Sequence, residues 1–420
     1  MRLDEILDDF ERDEAADRRR LARERSYGIT RYLEDVEARF ETVVGDDTAF
    51  GSTAPEIFVG RFGYPEVSAG VLSPVGREDE AERFRTDARW YREGLGIADV
   101  VERRTSLLNA RDRVDVHVAD VWDGTVGAQR EVAIADRPVD VEVTLADRPA
   151  FTLDAEGERV PPIGPRAGVR SVALGENPHV PRAVETVIGD DDWKATGAMT
   201  WLYRRGFDVY DIDSILSAGA LGEAANRRLV PTRWSITAVD DTIGQYLRGR
   251  VANQPSIDET RIYASEYIGN RYWIVITPGR WEYELVEMKG PGSVWNPDQG
   301  THWIGSAHEG AEGRRGYVEE TAGAYYAARL GVLEALEAER RQAKALVLRE
   351  VTDDYWAPVG VWQVREAVRD AMRAGPIATP EDFGTAAAAV LDRLPLPAER
   401  IRRKSTLLTG RQAALGDFTA

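Results

Sequence analysis

The sequence predicts an α+β fold with an N-terminal helix, a mixed central domain with antiparallel strands, a helical C-terminal domain and a mobile C-terminal tail. Three observations predict it. Apolar residues recur at helical spacing near both ends of the chain. Short runs with strand alternation, separated by Gly and Pro turns, fill the middle. Pro395 and Pro397 end the folded part and lead into a basic tail. The boundaries these features set are 1–44, 45–280, 281–395 and 396–420.

Leu3, Ile6, Leu7 and Phe10 open the first helix. Leu21, Ile29, Tyr32, Leu33, Val36 and Phe40 resume it after an Arg-rich interval, until Gly45 and a polar run break it. Residues 53–74 hold more Gly, Pro and aromatic residues than any amphipathic pattern requires. Helices are expected over 78–94, with Arg83, Arg85, Arg89 and Arg92, and through the RRTSLL segment. Strand alternation begins with Val114 and His117 and continues over 131–135, 139–145 and 169–174, around a turn-rich interval at 147–165. Pro181 suits the first position of a helix over 181–188, and a second helix covers 192–205.

The apolar SITAV run reads as a strand that ends at Asp240 and Asp241. Those acids would either face a cation there or cap a helix beginning near Thr242. Strands over 262–268, 272–277 and 281–288, joined at Gly269-Asn270 and Pro278-Gly279, make an antiparallel meander. Residues 296–313 read as a flexible loop whose His302, Trp303 and His308 would stack on unpaired bases or simply anchor the loop. A long helix over 317–351, with Tyr325 and Tyr326 in the core, and shorter helices over 361–373 and 380–394 complete the folded part.

Charge and composition narrow the chemistry. Seventy-two acidic against fifty-four basic residues give a net charge of −18, and only Lys194, Lys289, Lys344 and Lys404 among the basic residues are lysines. An acidic, Lys-poor, cysteine-free chain looks like one adapted to a high-salt cytoplasm, although a GC-rich genome would give the same Arg bias. The lack of Cys excludes disulfides, thiolate metal sites and thiolate nucleophiles. The scattered His117, His179, His302 and His308 argue against a zinc site. No apolar run is long enough to span a bilayer, and the acidic N-terminus is unlike a signal peptide, so a cytoplasmic location with no membrane partner is expected. Such a charge makes the chain a poor non-specific ligand for DNA. In molar salt the Debye length shrinks to about 3 Å, whereas apolar contacts keep their strength.

Three stretches are distinctive as sequences: TAPEIFVGRFGYPEVSAGVLSP at 53–74, GFDVYDIDSILSAGALGEAANRRLVPTRWSITAVDDTIG at 206–244, and YWIVITPGRWEYELVEMKGPGSVW at 272–295. They resemble the archaeal Nre proteins, a DNA-repair family. The resemblance implies an Nre N-terminal-type region over 45–280, a C-terminal-type region over 281–395, and a role in DNA-damage repair. Within the first region, Arg61, Arg104, Thr105 and Ser106 are of the types that meet phosphate, or else serve ordinary surface pairing.

Two candidate sites follow. In the tail, Gln412 is followed by Ala413 and Ala414, then Leu415, then Gly416 and Asp417, then Phe418 and Thr419. On a tight turn Leu415 and Phe418 share a side and form an apolar plug beside the Gln412 amide. This spacing resembles the peptide by which proteins bind the sliding clamp PCNA, with Thr419 in place of the usual second aromatic. The acid-free collar of Arg400, Arg402, Arg403, Lys404 and Arg411 would steer it toward an acidic partner surface. No cofactor is required for this clamp-bound adaptor.

The alternative is a nuclease. Glu287 and Lys289 stand as Glu-x-Lys at the end of an apolar strand, and Asp240, Asp241 or Glu266 would add a second carboxylate for Mg²⁺. The same residues would equally form a structural ion pair.

Overall fold

The computed structural model describes residues 37–38, 48–74, 76–117, 122, 124–149, 164–296, 300–314 and 316–410. Of the predicted helix over 1–44, all but Glu37 and Ala38 lies outside the described residues. So do Gln412 to Thr419. The protein is a mixed α/β chain of two compact units, one spanning 24–243 and the other 1–23 with 244–420.

The first unit is built on β1 (Thr48–Thr53), β2 (Ile57–Val59), β3 (Glu66–Pro74), β4 (Leu107–Asp115), β5 (Val139–Leu145) and β6 (Arg166–Leu174), in the spatial order β1-β5-β6-β4-β3-β2. Every neighbouring pair is antiparallel except β4 and β6. A 3₁₀ segment (Glu78–Phe84), α1 (Ala88–Arg92) and α2 (Ile97–Thr105) connect β3 to β4. The predicted helix over 78–94 is therefore broken. Arg85 turns extended, and the Asp87 side chain restarts the chain by accepting the N–H of Arg89.

Next comes α3 (Gly124–Ile134), followed after the last strand by α4 (Arg182–Ile188), α5 (Ala195–Tyr203), α6 (Val209–Ser217) and α7 (Thr232–Val251). The strand expected at 131–135 is the end of α3. A five-residue apolar run does not distinguish the two periods. Packing decides, because Val126, Ala128, Val132 and Ala133 join Val67, Val71, Leu108, Ala110, Val141 and Val143 in one core. The SITAV run is not a strand end either. Ser235, Val239, Ile243, Leu247 and Val251 form a buried stripe at four-residue spacing, so the run belongs to α7, which passes through the division between the units.

The second unit contains β7 (Arg261–Tyr267), β8 (Asn270–Thr277), β9 (Glu282–Lys289), β10 (Trp303–Glu309) and β11 (Lys344–Val351). Their order is β10-β9-β11-β8-β7. The meander expected over 262–288 thus stops after the β7–β8 hairpin, because β11 enters between β8 and β9, antiparallel to the first and parallel to the second. A central strand is covered on both faces, and β11 is accordingly buried at every residue after Lys344. One face meets α8 (Ala322–Glu339) and α9 (Trp362–Ala374). On the other, α10 (Phe383–Leu391) packs Ala386, Val390 and Leu391 onto Val275, Val286, Met288, Leu346 and Leu348.

Four further expectations are corrected here. The predicted helix over 317–351 is α8 followed by β11. No Gly or Pro marks the stop; instead Arg340 adopts the left-handed conformation with φ of 56°. Part of the loop read over 296–313 is strand β10. The C-terminal domain is therefore built around a sheet rather than being helical, and the tail from 396 to 410 is folded. It forms α11 (Ala398–Lys404) and α12 (Thr406–Thr409), with Ile401 fully buried. Among the described residues no helix is long and apolar enough to cross a membrane.

Candidate functional site

The C-terminal motif is preceded by a segment with a defined anchor. Along β9 the side chains alternate: Tyr283, Leu285 and Glu287 face α8 and α9, whereas Glu284, Val286 and Met288 face the C-terminal helices. Glu284 is fully buried, and its carboxylate accepts three hydrogen bonds. The donors are the Ser405 hydroxyl at 2.7 Å and the backbone N–H groups of Thr406 and Leu407 at 2.8 Å each. All three donors lie at the start of α12, where N–H groups would otherwise lack partners and where negative charge is favourable. Ser405 also takes the N–H of Leu408, and Leu407 and Leu408 pack against the apolar cluster under α10. Just before this helix start, Ser306 on β10 donates to the carbonyl of Lys404 at 2.6 Å.

Four residues of the predicted basic collar therefore sit on a packed helix, and Arg411 lies outside the described residues. Arg400, Arg402, Arg403 and Lys404 are exposed on α11, and Gly410, with φ of 61°, closes α12. Sequence reading missed Glu284. Its only trace is a charged residue among the apolar positions of β9.

The Glu-x-Lys pair is on β9 as expected, but its surroundings are cationic. The buried Glu287 carboxylate is ion-paired with Arg349 on β11, its parallel neighbour, and with Lys289 at 3.0 Å. Arg349 uses its other nitrogens on Asn270 Oδ1 at 2.7 and 3.1 Å, and Lys289 lies 3.9 Å from the Trp303 ring centre. A carboxylate already neutralised by two cations offers little to Mg²⁺, which wants convergent acids. Of the acids proposed to complete the set, Asp240 and Asp241 lie in mid-α7, Asp240 fully buried, while the exposed Glu266 pairs with Arg271. Among the described residues no group of three or more His, Asp or Glu side chains is placed to hold a metal ion.

The phosphate-contact candidates separate in the same way. Thr105 and Ser106 are buried, and the Thr105 hydroxyl donates to the Val101 carbonyl. Arg104 reaches Thr86 and lies against Trp90. Arg61 alone among the four remains exposed. In the region read as a loop, Trp303 serves Lys289, while His308 Nε2 meets Glu282 at 2.9 Å.

Glu282 gives a pH signature to this end of the sheet. The His308 hydrogen bond, with Lys344 at 2.9 Å, holds its carboxyl at about 2, below the ordinary 4.5. A depressed carboxyl contributes stability that is present above the ordinary value and lost as pH falls through the folded one. The difference in Tm between the protein and a Glu282→Gln variant is therefore expected to shrink as pH falls from 4.5 toward 2 in thermal unfolding.

Two family models cover most of the chain: "Archaeal Nre, N-terminal" matches residues 21–296 and "Archaeal Nre, C-terminal" matches 309–418. The chain is 58% identical over 421 residues to the DNA repair protein NreA of Haloferax volcanii, covering 100% of each. It is 37% identical over 375 residues to the DNA repair protein NreA of Archaeoglobus fulgidus, covering 89% of this chain and 90% of that one. The DNA repair protein NreB of the same organism is 36% identical over 371 residues, with 88% and 91% covered. No solved structure matches the chain. With both models matched and full-length identity to a named relative, the chain belongs to the archaeal Nre family.

Proposed function

We propose that the protein acts in DNA-damage repair and is recruited to its place of work by the sliding clamp, through Gln412 to Thr419. The observation that carries this reading is the spacing of Gln412, Leu415 and Phe418 immediately after α12, a helix whose start is held by the buried Glu284. The repair context comes from the relatives, which are named as DNA repair proteins.

In this reading the folded body is the cargo, α11 and α12 set the point from which the peptide departs, and no cofactor takes part. The exposed Arg400, Arg402, Arg403 and Lys404 beside that point favour an acidic clamp surface. Burial of Leu415 and Phe418 in an apolar groove supplies the affinity, and salt does not weaken it.

A titration of the clamp with the full chain tests the reading. Phe418→Ala is expected to weaken binding about 10- to 150-fold, the equivalent of about 1.5–3 kcal/mol for one buried aromatic. Thr419→Phe is expected to tighten it by restoring the second ring. Both changes should leave thermal unfolding unaltered. If a chain lacking 412–420 binds the clamp as well as the whole protein does, the proposal is wrong.

A further inference from the structure

The turn between β2 and β3 carries a set of side chains that the packing of the first unit does not use. Phe62 is 66% exposed and Tyr64 is 42% exposed on either side of Gly63. Trp234, in the first turn of α7, is 45% exposed, and its ring lies 5.4 Å from that of Tyr64, tilted by 51°. The two elements are tied at their base, where the Val59 N–H donates to the Thr232 hydroxyl at 2.9 Å. Gly63, with φ of +82°, presses the turn against Arg113. A Cβ there would stand 2.8 Å from the Glu66 carbonyl oxygen as well as from that guanidinium, and the positive φ disfavours other residues, so glycine suits the turn. Arg113 in turn donates to the carbonyl of Glu66 at 3.2 Å and lies 3.7 Å from its carboxylate. The Arg61 guanidinium lies over the Phe62 ring at 4.9 Å, and no ion pair holds it among the described residues.

Exposed rings are costly to leave in water, and several of them on one turn and the adjoining helix start mark a binding surface rather than scatter. The chemistry of the neighbours narrows the ligand. Rings with accessible faces stack on flat heterocycles, and a guanidinium beside them pairs with phosphate oxygens. Bases inside a duplex are already stacked on each other and present no free face. We infer that Arg61, Phe62, Tyr64 and Trp234, with Arg113 behind them, form a stacking platform for the unpaired bases of a single-stranded nucleic acid.

This site is separate from the clamp peptide and does not depend on it. The cations are few and Arg113 is shared with Glu66, so the rings carry the affinity. With one or two phosphates neutralised, the slope of log K against log salt concentration is between about −0.7 and −1.4 for a single strand. Such binding persists at ionic strengths that release proteins held mainly by phosphate contacts.

The test is fluorescence anisotropy of the full chain with a labelled, non-self-complementary oligonucleotide, as DNA and as RNA, and with the matching duplex. The single strand, in at least one of its two forms, is expected to bind more tightly than the duplex. Phe62→Ala and Trp234→Ala are each expected to weaken it about 5- to 100-fold. Arg61→Gln should flatten the salt dependence, and thermal unfolding of all three variants should match that of the parent. Comparing the DNA and RNA arms identifies which strand is taken. Equal binding of duplex and single strand, or an affinity untouched by both ring substitutions, overturns the platform. A chain lacking 412–420 should keep this affinity while losing the clamp, and Phe62→Ala should do the reverse, so failure of either site is read independently of the other.

Discussion

Glu309→Ala is expected to lower the unfolding free energy of the protein by about 3–5 kcal/mol. Glu309 ends β10 and Arg329 lies on α8; their side chains meet at 2.8 Å with neither exposed to solvent. The second Glu309 oxygen accepts the Trp281 indole N–H at 3.0 Å, and the guanidinium lies 5.6 and 5.5 Å from the Tyr325 and Tyr326 ring centres. Tyr283 completes the enclosure, 5.9 Å from Trp281 and 5.0 Å from Tyr325. Even the start of the unit is shaped to the pair. A Cβ on Gly244 would lie 2.8 Å from the guanidinium.

Removing the carboxylate takes the Glu309 charge away from a buried guanidinium and leaves the Trp281 indole without its acceptor, and desolvation makes that costly. Replacing both partners removes the buried guanidinium together with the carboxylate. Glu309→Leu combined with Arg329→Met is therefore expected to recover most of the loss. Urea unfolding followed by tryptophan fluorescence measures both variants. A double variant as unstable as the single one would show that the packing shape, rather than the loss of this charge pair, sets the cost.

Glu284→Ala is expected to free the end of the chain without unfolding the sheet. The substitution removes one acceptor group from three donors at the start of α12, each worth about 1–3 kcal/mol if left buried and unpaired. α12 is only four residues long, so undocking into water relieves the donors at a modest loss of apolar contact. Hydrogen exchange should accelerate at residues 405–409 and stay slow in β8, β9 and β11. Unchanged protection over 405–409 would rule out Glu284 as the anchor. Under the proposed clamp reading, clamp affinity in the same variant is expected to stay within a few fold; a large loss would mean that the anchored geometry is part of recognition.

Several elements were legible in the sequence for physical reasons that can be named. β5 and β6 follow from two-residue alternation beside turn residues, and α9 and α10 from helical spacing. The β7–β8 hairpin follows from the glycine at its turn, where Ile268 and Gly269 both take positive φ. The family was readable from three stretches because they are long and compositionally unusual. The spacing of Gln412, Leu415 and Phe418, on which the clamp proposal rests, is local and needs no tertiary neighbour to be seen.

Other features belonged to the tertiary structure alone. ALVLREV reads as a continuation of α8; only its place between β8 and β9, covered on both faces, makes it a strand. SITAVDD reads as a strand end, yet its Ser235 and Val239 belong to the buried stripe of α7. Glu287 and Lys289 sit on a strand as their motif suggests, and the fold then places Arg349 beside them from sixty residues away. Beyond its charge in an apolar strand, nothing in the sequence marks the role of Glu284, because that role depends on donors that arrive from residues 405–407. The sequence by itself determined local periodicity, charge and family, since each is written in neighbouring residues. Strand order, burial and the partners of each buried charge were decided by the tertiary structure, since they depend on segments far apart in the chain packing against one another.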